Sequence, residues 1–445
     1  MILRHLNETL LYAIIAIGCF ATMYLFNTLL SNHLSPAFYG DIAFSMKVFY
    51  LLAIIVQMGK PKLVLKLVPV FHQKRHLSEI HLLQWCGFSL LINIIVYLII
   101  TALIFLSVYV FHSPNLHISK EVHIIIWFLP IISVYSFLGL ILNAYQAYGF
   151  GLVEAFTNKM APWLCLNILL LGTLLLVDQL KPIHVVFIYS CTYLILFFTT
   201  AVFLKRSTGN HAFFQFLDKT YLSESKQTLV RWKKDGIGFL GNSAISTALR
   251  CVALVVMETG SHLPGSKLDE NSVGFFAAIQ TIGAAGILLS QVSYTSFQAK
   301  LATYLASEKM QETANRENWK ITRINILVSI AYITFIICFG KQILGVFGES
   351  FRTVYPELII TSFSTFFYTV SSISPSYLNF TNNIGLCNRI QVCSLLTYVI
   401  VGYTLGYFYG ITGVCIASLC CWAFRATALH IIARKLTGHH PLGAF

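Results

Sequence analysis

Four basic residues lie inside long apolar stretches of this 445-residue chain, namely Lys47, Lys159, Arg250 and Arg425. A charge near the centre of a bilayer costs about 2.5–3.5 kcal/mol on insertion scales, so such residues usually face a cavity and mark a pathway. A cavity lined by cations would attract an anion such as a phosphate or a pyrophosphate. All four are therefore candidate substrate-binding residues.

The four basic residues differ in their predicted depth. Lys47 and Arg250 lie in the outer halves of their spans, whereas Lys159 and Arg425 lie in the inner halves. For Lys47 and Arg250 this position favours a cavity. Lys159 and Arg425 lie nearer the basic cytoplasmic loops, which favours snorkelling or a structural ion pair. The acids closest to them in sequence lie nearer the span ends and are Asp41, Glu154 and Glu258.

The elements that must position these residues are transmembrane helices. Hydrophobic residues make up 57% of the chain and charged residues 11%, whereas soluble domains have about 25% charged residues. Aromatic residues make up 14%, and many lie near the ends of spans, as interfacial belts require. The net charge of +13 is better explained by cytoplasmic loops rich in Lys and Arg than by a nucleic-acid partner.

Twelve apolar runs are long enough to cross the hydrocarbon core. They cover residues 10–30, 42–58, 83–111, 122–145, 155–177, 183–204, 237–257, 273–291, 321–339, 358–374, 390–407 and 411–433. The longest polar stretch, 205–235, separates the first six from the second six. We therefore expect an all-α polytopic membrane protein with two six-helix lobes, 1–204 and 236–445, around a central cavity, joined by a cytoplasmic linker.

A sparse internal repeat supports this division. Adding 234 carries Gly40 to Gly274 and Lys66 to Lys300, and an offset of 236 carries Asn143 to Asn379. Repeats should be sought first because they fix the architecture. Repeated halves in an apolar chain are typical of transporters with the substrate site between two lobes.

The distribution of basic residues predicts the orientation. With the N-terminus in the cytoplasm, the loops on that side hold 21 Lys and Arg residues, and the outer loops hold five. This is a strong positive-inside signal with strict alternation. It predicts that both termini are cytoplasmic.

Several spans contain residues that break or tighten helices. Pro130, Pro162 and Pro375 could kink their helices, and the run 283–286 (GAAG) could allow close packing. We expect ordinary helix packing at these sites rather than hinges. The span 358–374 is rich in Ser and Thr, which suits a face on water or on another helix.

Enzyme signatures are missing from the sequence. It has neither a phosphate-binding Gly-rich loop nor a metalloprotease His pair. His72 and His76, and likewise His439 and His440, are in polar segments and are interpreted as solvated residues. The eleven cysteines lie mostly in apolar segments and are interpreted as buried hydrophobes. We expect no catalytic residue, cofactor or metal.

Seven short pieces in a consistent order give the sequence a family resemblance. They are LSPAFYGDIAF (34–44), GKPKLVLKLVPVF (59–71), LNAYQAYGFG (142–151), SVGFFAAIQTIG (272–283), LGVFGESF (344–351), YPELII (355–360) and ARKLTGHHPLG (433–443). Together they resemble the polysaccharide (O-antigen) flippases of the multidrug/oligosaccharidyl-lipid/polysaccharide exporter superfamily.

The resemblance implies export of an undecaprenyl-pyrophosphate-linked oligosaccharide across the bacterial inner membrane by alternating access. Basic cavity residues of the family meet the pyrophosphate, and Lys47 and Arg250 match by position. The lipid-precursor flippases of the family also carry an arginine in the first span, where this chain has only polar residues such as Asn27. The implied partners are the lipid-linked oligosaccharide, membrane lipids and other glycan-assembly membrane proteins, but no nucleic acid.

Three alternatives stay open. A multidrug exporter of the same superfamily would need buried acids to bind organic cations, whereas this chain buries cations. A membrane enzyme of glycan assembly, such as a polymerase, would usually need a large outer loop, and the longest one here is about 258–272. A structural scaffold would need no charge inside the membrane.

Overall fold

The computed structural model describes residues 2–73, 78–112, 124–208, 219–305, 311–380 and 383–437. Within these ranges every regular secondary-structure element is a helix. The α-helices are α1 (Ile2–His33), α2 (Pro36–Gln57), α3 (Lys60–Gln73), α4 (Ser78–His112), α5 (Ile125–Phe128), α6 (Ile131–Ala147), α7 (Gly151–Ala155), α8 (Ala161–Leu176), α9 (Pro182–Thr208), α10 (Lys226–Ser261), α11 (Glu270–Leu305), α12 (Gln311–Gly345), α13 (Tyr355–Val370), α14 (Ser374–Phe380) and α15 (Ile384–Thr437).

The predicted all-α polytopic fold is confirmed. Nine helices of the described residues are long and apolar enough to cross a membrane, and one of them, α15, contains two predicted spans. Its backbone is non-helical at Gly410 (φ 63°, ψ −142°). The chain folds back there, since the Cys421 thiol donates to the Ser394 carbonyl oxygen (3.2 Å). A positive φ of this kind favours glycine, which explains why the turn can be so tight.

The other spans coincide with the predicted ones, and the prolines explain where they break. Pro130 precedes α6, and Pro375 lies in the first turn of α14. These are positions where the missing N–H costs nothing. Pro162 follows a π-helical turn, Phe156–Met160. Pro130 and Pro375 therefore lie where helices begin, whereas Pro162 lies inside the continuous helical run Gly151–Leu176.

The chain forms two compact units, Met1–Phe44 with Ala248–Phe445 (unit 1) and Ser45–Thr247 (unit 2). Helices α2 and α10 each contribute residues to both units. The lobe boundaries expected from the sequence, 204/205 and 235/236, stay a prediction.

Unit 1 is organised around α11 and α13. Helix α11 packs against α1, α12 and α13, and α13 packs against α12 and α15. Gly286 of α11 lies so close to α12 and α13 that an added Cβ would be 3.0 Å from Tyr332 and from Thr365. The run 283–286 is thus used for close helix packing, as expected.

Unit 2 is organised around α6, which packs against α3, α4 and α9. A 3₁₀ turn of the linker, Lys219–Ser223, packs against α4. Glu224 after this turn accepts hydrogen bonds from the Ser78 hydroxyl and the His81 ring, both at 2.8 Å. Trp232 of α10 is buried and contacts Trp85. The described part of the linker is thus docked against the first turns of α4.

Candidate substrate site

Arg250 and Arg425 are brought together inside unit 1. Arg250 lies on α10 and is exposed, although the helix around it is apolar. Arg425 lies on α15 and is only 6% exposed. The two guanidinium groups interact electrostatically. The predicted depths, the outer half of its span for Arg250 and the inner half for Arg425, stay a prediction.

The Arg425 guanidinium has aromatic and thiol neighbours but no acid. Its central carbon lies 5.0 Å from the centre of the Trp422 ring, and Tyr368 packs edge-on against Trp422. Cys387 and Cys421 are its other close electrostatic neighbours. Among the described residues no carboxylate pairs with it, and its Nε–H has no hydrogen-bond partner. The snorkelling or structural ion pair favoured for Arg425 from the sequence stays a prediction.

The Ser- and Thr-rich face of α13 lies against other helices. Thr361, Ser362, Thr365 and Thr369 are buried, and the last three donate to the carbonyl oxygen four residues earlier (2.8, 3.2 and 2.7 Å). These hydroxyls are therefore satisfied within α13. The sequence predicted that this face contacts water or another helix, and the structure shows that it contacts other helices.

Lys47 lies in unit 2, on α2, and is half-buried. One turn further on is Tyr50, whose hydroxyl lies 3.1 Å from the hydroxyl of Tyr193. The Tyr50 ring packs edge-on against Tyr135, with 5.5 Å between ring centres. Tyr50 and Tyr135 are half-exposed, and a buried layer of Phe49, Tyr189 and Tyr193 lies behind them. We call Tyr50 and Tyr135 the tyrosine pair.

Lys159 lies in the π-helical turn of unit 2. It interacts electrostatically with Glu154, which also accepts a hydrogen bond from the Asn158 amide (2.8 Å). π-Helical turns are frequent at functional sites. The structural role favoured for Lys159 from the sequence stays a prediction, and Glu154 is an acid that lies close enough to interact with it.

A cleft of about 770 Å³ in unit 1 was not foreseen. It is lined by α1, α11 and α12 through alanines, aliphatic residues and aromatic rings, among them Ala16, Tyr24, Ala285 and Tyr332. Such a lining suits hydrocarbon rather than a charged group. The cleft could have been predicted from small residues: Ala13 and Ala16 are one turn apart on α1, and Ala285 lies on α11. Small side chains leave room between neighbouring helices.

The expectation of no metal site stays a prediction. Among the described residues, no group of three or more His, Cys, Asp and Glu side chains could hold a metal ion. The side chains of His72 and His76, and the tail with His439 and His440, lie outside the described residues.

Comparison with known proteins shows the fold and no closer relationship. No protein-family model matches the chain, and no curated protein matches it. Among solved structures, the inward-facing conformation of a multidrug resistance MATE family transporter of the MOP superfamily matches with a TM-score of 0.67 and 13% identity. It covers 96% of this chain and 94% of that chain.

Two further solved structures have the same coverage and identity. An outward-facing conformation of a multidrug resistance MATE family transporter matches with a TM-score of 0.68, and MATE in complex with MaL6 with 0.65. The protein therefore has the fold of the MATE transporters, whose twelve helices in two lobes agree with the arrangement predicted from the sequence. At 13% identity, this likeness shows the fold and does not identify the substrate that this chain transports.

Proposed function

We propose that the protein is a membrane transporter that flips an undecaprenyl-pyrophosphate-linked oligosaccharide across the bacterial inner membrane. The observation that carries this proposal is Arg250, an exposed guanidinium on an apolar helix of unit 1. A cation at such a position produces a positive potential that an anionic head group would lower. A pyrophosphate also matches the planar fork of a guanidinium.

In the proposed mechanism, the anionic head enters from the cytoplasm and binds first to exposed or half-exposed cations. Arg250 and Lys47 fit this role because both can reach a ligand. The prenyl tail stays in the bilayer while the protein alternates between inward- and outward-facing states. No covalent step and no cofactor are needed. Both termini lie in the cytoplasm, and other glycan-assembly membrane proteins are the expected partners.

The tyrosine pair supports the oligosaccharide part of the proposal. Tyr50 and Tyr135 each present an apolar ring and a hydroxyl, and both are half-exposed. Lys47 lies one turn from Tyr50 on the same helix. A cation next to aromatic rings with hydroxyl groups is suited to a sugar joined to a phosphate.

A second candidate function is export of drugs, and two observations favour it. The solved structures with this fold are multidrug transporters by their titles. In addition, unit 1 holds a half-buried acid, Glu357, which accepts a hydrogen bond from Thr412 and whose Oε2 has no partner among the described residues. An organic cation would seek such a carboxylate, whereas a pyrophosphate would avoid it.

Deletion of the gene in its own host distinguishes the two functions. The flippase proposal predicts loss of a surface polysaccharide, detected by gel staining, and accumulation of the lipid-linked precursor in membrane extracts. It predicts unchanged sensitivity to ethidium and norfloxacin. Reintroduction of the wild-type gene should restore the polysaccharide.

The opposite result would overturn the flippase proposal. Normal surface glycans together with increased drug sensitivity would place the protein with the multidrug exporters. Normal glycans and normal sensitivity would contradict both functions.

A further inference from the structure

Arg425 is a buried cation for which the described part of the chain supplies no carboxylate partner. Its electrostatic neighbours are Tyr368, Cys387, Cys421 and Arg250. None of these is a carboxylate, and the contribution of Arg250 is repulsive. The Trp422 ring offsets part of the cost through a cation–π contact. An ionised group taken out of water without a counter-charge is otherwise strongly unfavourable.

The part of α15 around Cys387 contains buried polar atoms that have no partner among the described residues. The amide nitrogen of Gln391 donates to the Cys387 sulfur (3.2 Å), and Cys387 is one of the electrostatic neighbours of Arg425. The amide oxygens of Gln391 and Asn388 are buried and have no partner among the described residues, as is the case for the Arg425 Nε–H. Buried polar groups are almost always satisfied, so a cluster of exceptions points to a bound water or ion.

The burial of Arg425 limits the size of that ligand. A sugar diphosphate needs open space, and a side chain that is 6% exposed does not provide it. An ion of atomic size fits between packed helices. The oxygen and nitrogen of an Asn or Gln side-chain amide exchange places when the amide group rotates by 180°. In the rotated orientation its NH₂ group can donate to an anion.

We propose that Arg425 holds a chloride ion inside unit 1, with the amides of Gln391 and Asn388 completing the site. The ligands are the guanidinium N–H groups and amide N–H groups, and the ion supplies the missing counter-charge. This site is independent of the proposed cargo, because it would neutralise Arg425 in an exporter of either kind. It leaves Arg250 as the arginine of the pair that is accessible to substrate.

Thermal unfolding of the purified full-length protein tests the site. The unfolding temperature is measured in sodium chloride and in sodium gluconate at equal ionic strength. A ligand that binds only the folded state raises this temperature in a saturable manner. We expect such a rise with chloride, and we expect Arg425→Met to abolish it or to raise the half-saturating concentration at least tenfold.

The matched control is Arg434→Met, which removes an exposed arginine from the same half of α15. It should leave the chloride effect unchanged. A chloride effect of equal size in Arg425→Met, or no chloride effect in the wild type, would overturn the proposal and leave a water molecule as the occupant.

A direct measurement covers the case in which Arg425→Met does not fold. Crystals of the wild type grown in sodium bromide should show an anomalous peak within hydrogen-bond distance of the Arg425 guanidinium. Gln391→Met, which keeps the volume and removes the amide, should weaken the chloride effect. A bromide peak elsewhere and none at Arg425 would contradict the proposal.

Discussion

At the scale of single residues, Arg250 differs from its partner Arg425 in accessibility. Arg250 is exposed on α10, while Arg425 is buried behind Trp422 and Tyr368. A ligand can therefore reach one guanidinium but not the other. The sequence analysis made both residues candidates for substrate binding, and the difference in exposure favours Arg250 for that role.

Arg250→Ala should reduce glycan export at least tenfold while the protein still inserts into the membrane. The reason is that Arg250 supplies a charged, bidentate contact to the pyrophosphate. Arg250→Lys should restore export only in part, because lysine keeps the charge but loses the planar fork. Surface polysaccharide in the complemented deletion strain measures export, and immunoblotting of membranes measures protein.

The control for Arg250 is Arg231→Ala, which removes an exposed arginine from the polar first part of α10. It should export normally. Full export by Arg250→Ala would remove this residue from the mechanism. Loss of export together with loss of protein would assign it a structural role.

Lys60 is a second buried cation, and the sequence analysis overlooked it. It is 3% exposed at the first residue of α3, directly after a turn in which Met58 and Gly59 have positive φ. Among the described residues no carboxylate pairs with its ammonium group. Burial lowers the pKa of Lys60 from 10.5 to about 8. The positive end of the helix dipole of α3 acts in the same direction.

This pKa predicts how stability varies with pH. Between pH 8 and 10.5 the unfolded chain binds more protons at Lys60 than the folded protein does, so the free energy of unfolding should rise across this window. The gain is on the order of 3 kcal/mol. Lys60→Met should unfold at a higher temperature than the wild type at pH 7 and should lose this rise.

Unfolding temperatures in detergent between pH 7 and 10 check the prediction for Lys60. Lys62→Met is the matched control, since Lys62 is an exposed lysine on the same helix. It should follow the wild-type curve. If Lys60→Met and Lys62→Met behaved alike, Lys60 would not be the group that titrates.

At the scale of elements, the first landmark of the repeat marks a helix contact. Gly40 at the start of α2 and Gly274 at the start of α11 are related by the offset of 234 and lie against each other in unit 1. A Cβ on Gly274 would be 1.9 Å from the Pro36 carbonyl oxygen, and one on Gly40 would be 2.6 Å from the Gly274 nitrogen. Backbone atoms cannot give way as a flexible side chain can.

Gly274→Ala should therefore destabilise the protein by about 3 kcal/mol or more, which is the upper end of the cost of overpacking. Fluorescence-detected size-exclusion chromatography after heating measures the effect. Gly172→Ala is the control, because a Cβ at Gly172 of α8 meets nothing within 4 Å. This control should be neutral or slightly stabilising, since alanine favours helix. Equal behaviour of the two variants would contradict the close contact.

The same region shows what the sequence could and could not predict. Apolar length and basic loops predicted the twelve spans, because each depends only on local composition. Three pieces of the family resemblance, around Tyr39, Phe275 and 347–351, meet in one aromatic cluster. Spacing along the chain could not predict these contacts between rings, because they depend on how helices that are distant in sequence pack.

The candidate site was predictable in type but not in arrangement. Charge inside apolar spans identified Lys47, Lys159, Arg250 and Arg425. Their grouping depends on how α10 and α15 pack and on Glu154 of α7, the acid next to Lys159. Neither contact leaves a periodic pattern in the sequence. Lys60 was missed because it lies in a run of lysines that is otherwise typical of an exposed loop.

At the scale of the whole molecule, orientation in the membrane follows from the balance of basic residues. The predicted cytoplasmic loops hold 21 and the outer loops five, and loops rich in Lys and Arg stay in the cytoplasm. Three exposed positions and one half-exposed position, Ser266, allow this to be tested. Ser266 and Ser350 lie in predicted outer loops, and Ser225 and Arg434 in cytoplasmic segments.

Single cysteines at these four positions, in a background without the native cysteines, should divide into two classes. Ser266→Cys and Ser350→Cys should react with an impermeant maleimide in intact cells. Ser225→Cys and Arg434→Cys should react only after permeabilisation. Ser78 is a poorer cytoplasmic probe, since it is buried and its hydroxyl donates to Glu224. Asn115 and Ser307, otherwise natural choices, lie outside the described residues.

The labelling pattern also tests the span count, because a missed or extra span would reverse every position that follows it. Ser350 and Arg434 are separated by three predicted spans, so they must lie on opposite sides. Ser225 and Ser266 are separated by one, 237–257, and must also differ. Labelling of Ser225→Cys or Arg434→Cys from outside intact cells would therefore contradict the twelve-span arrangement and, with it, the assignment of Arg250 to the outer half of the seventh span.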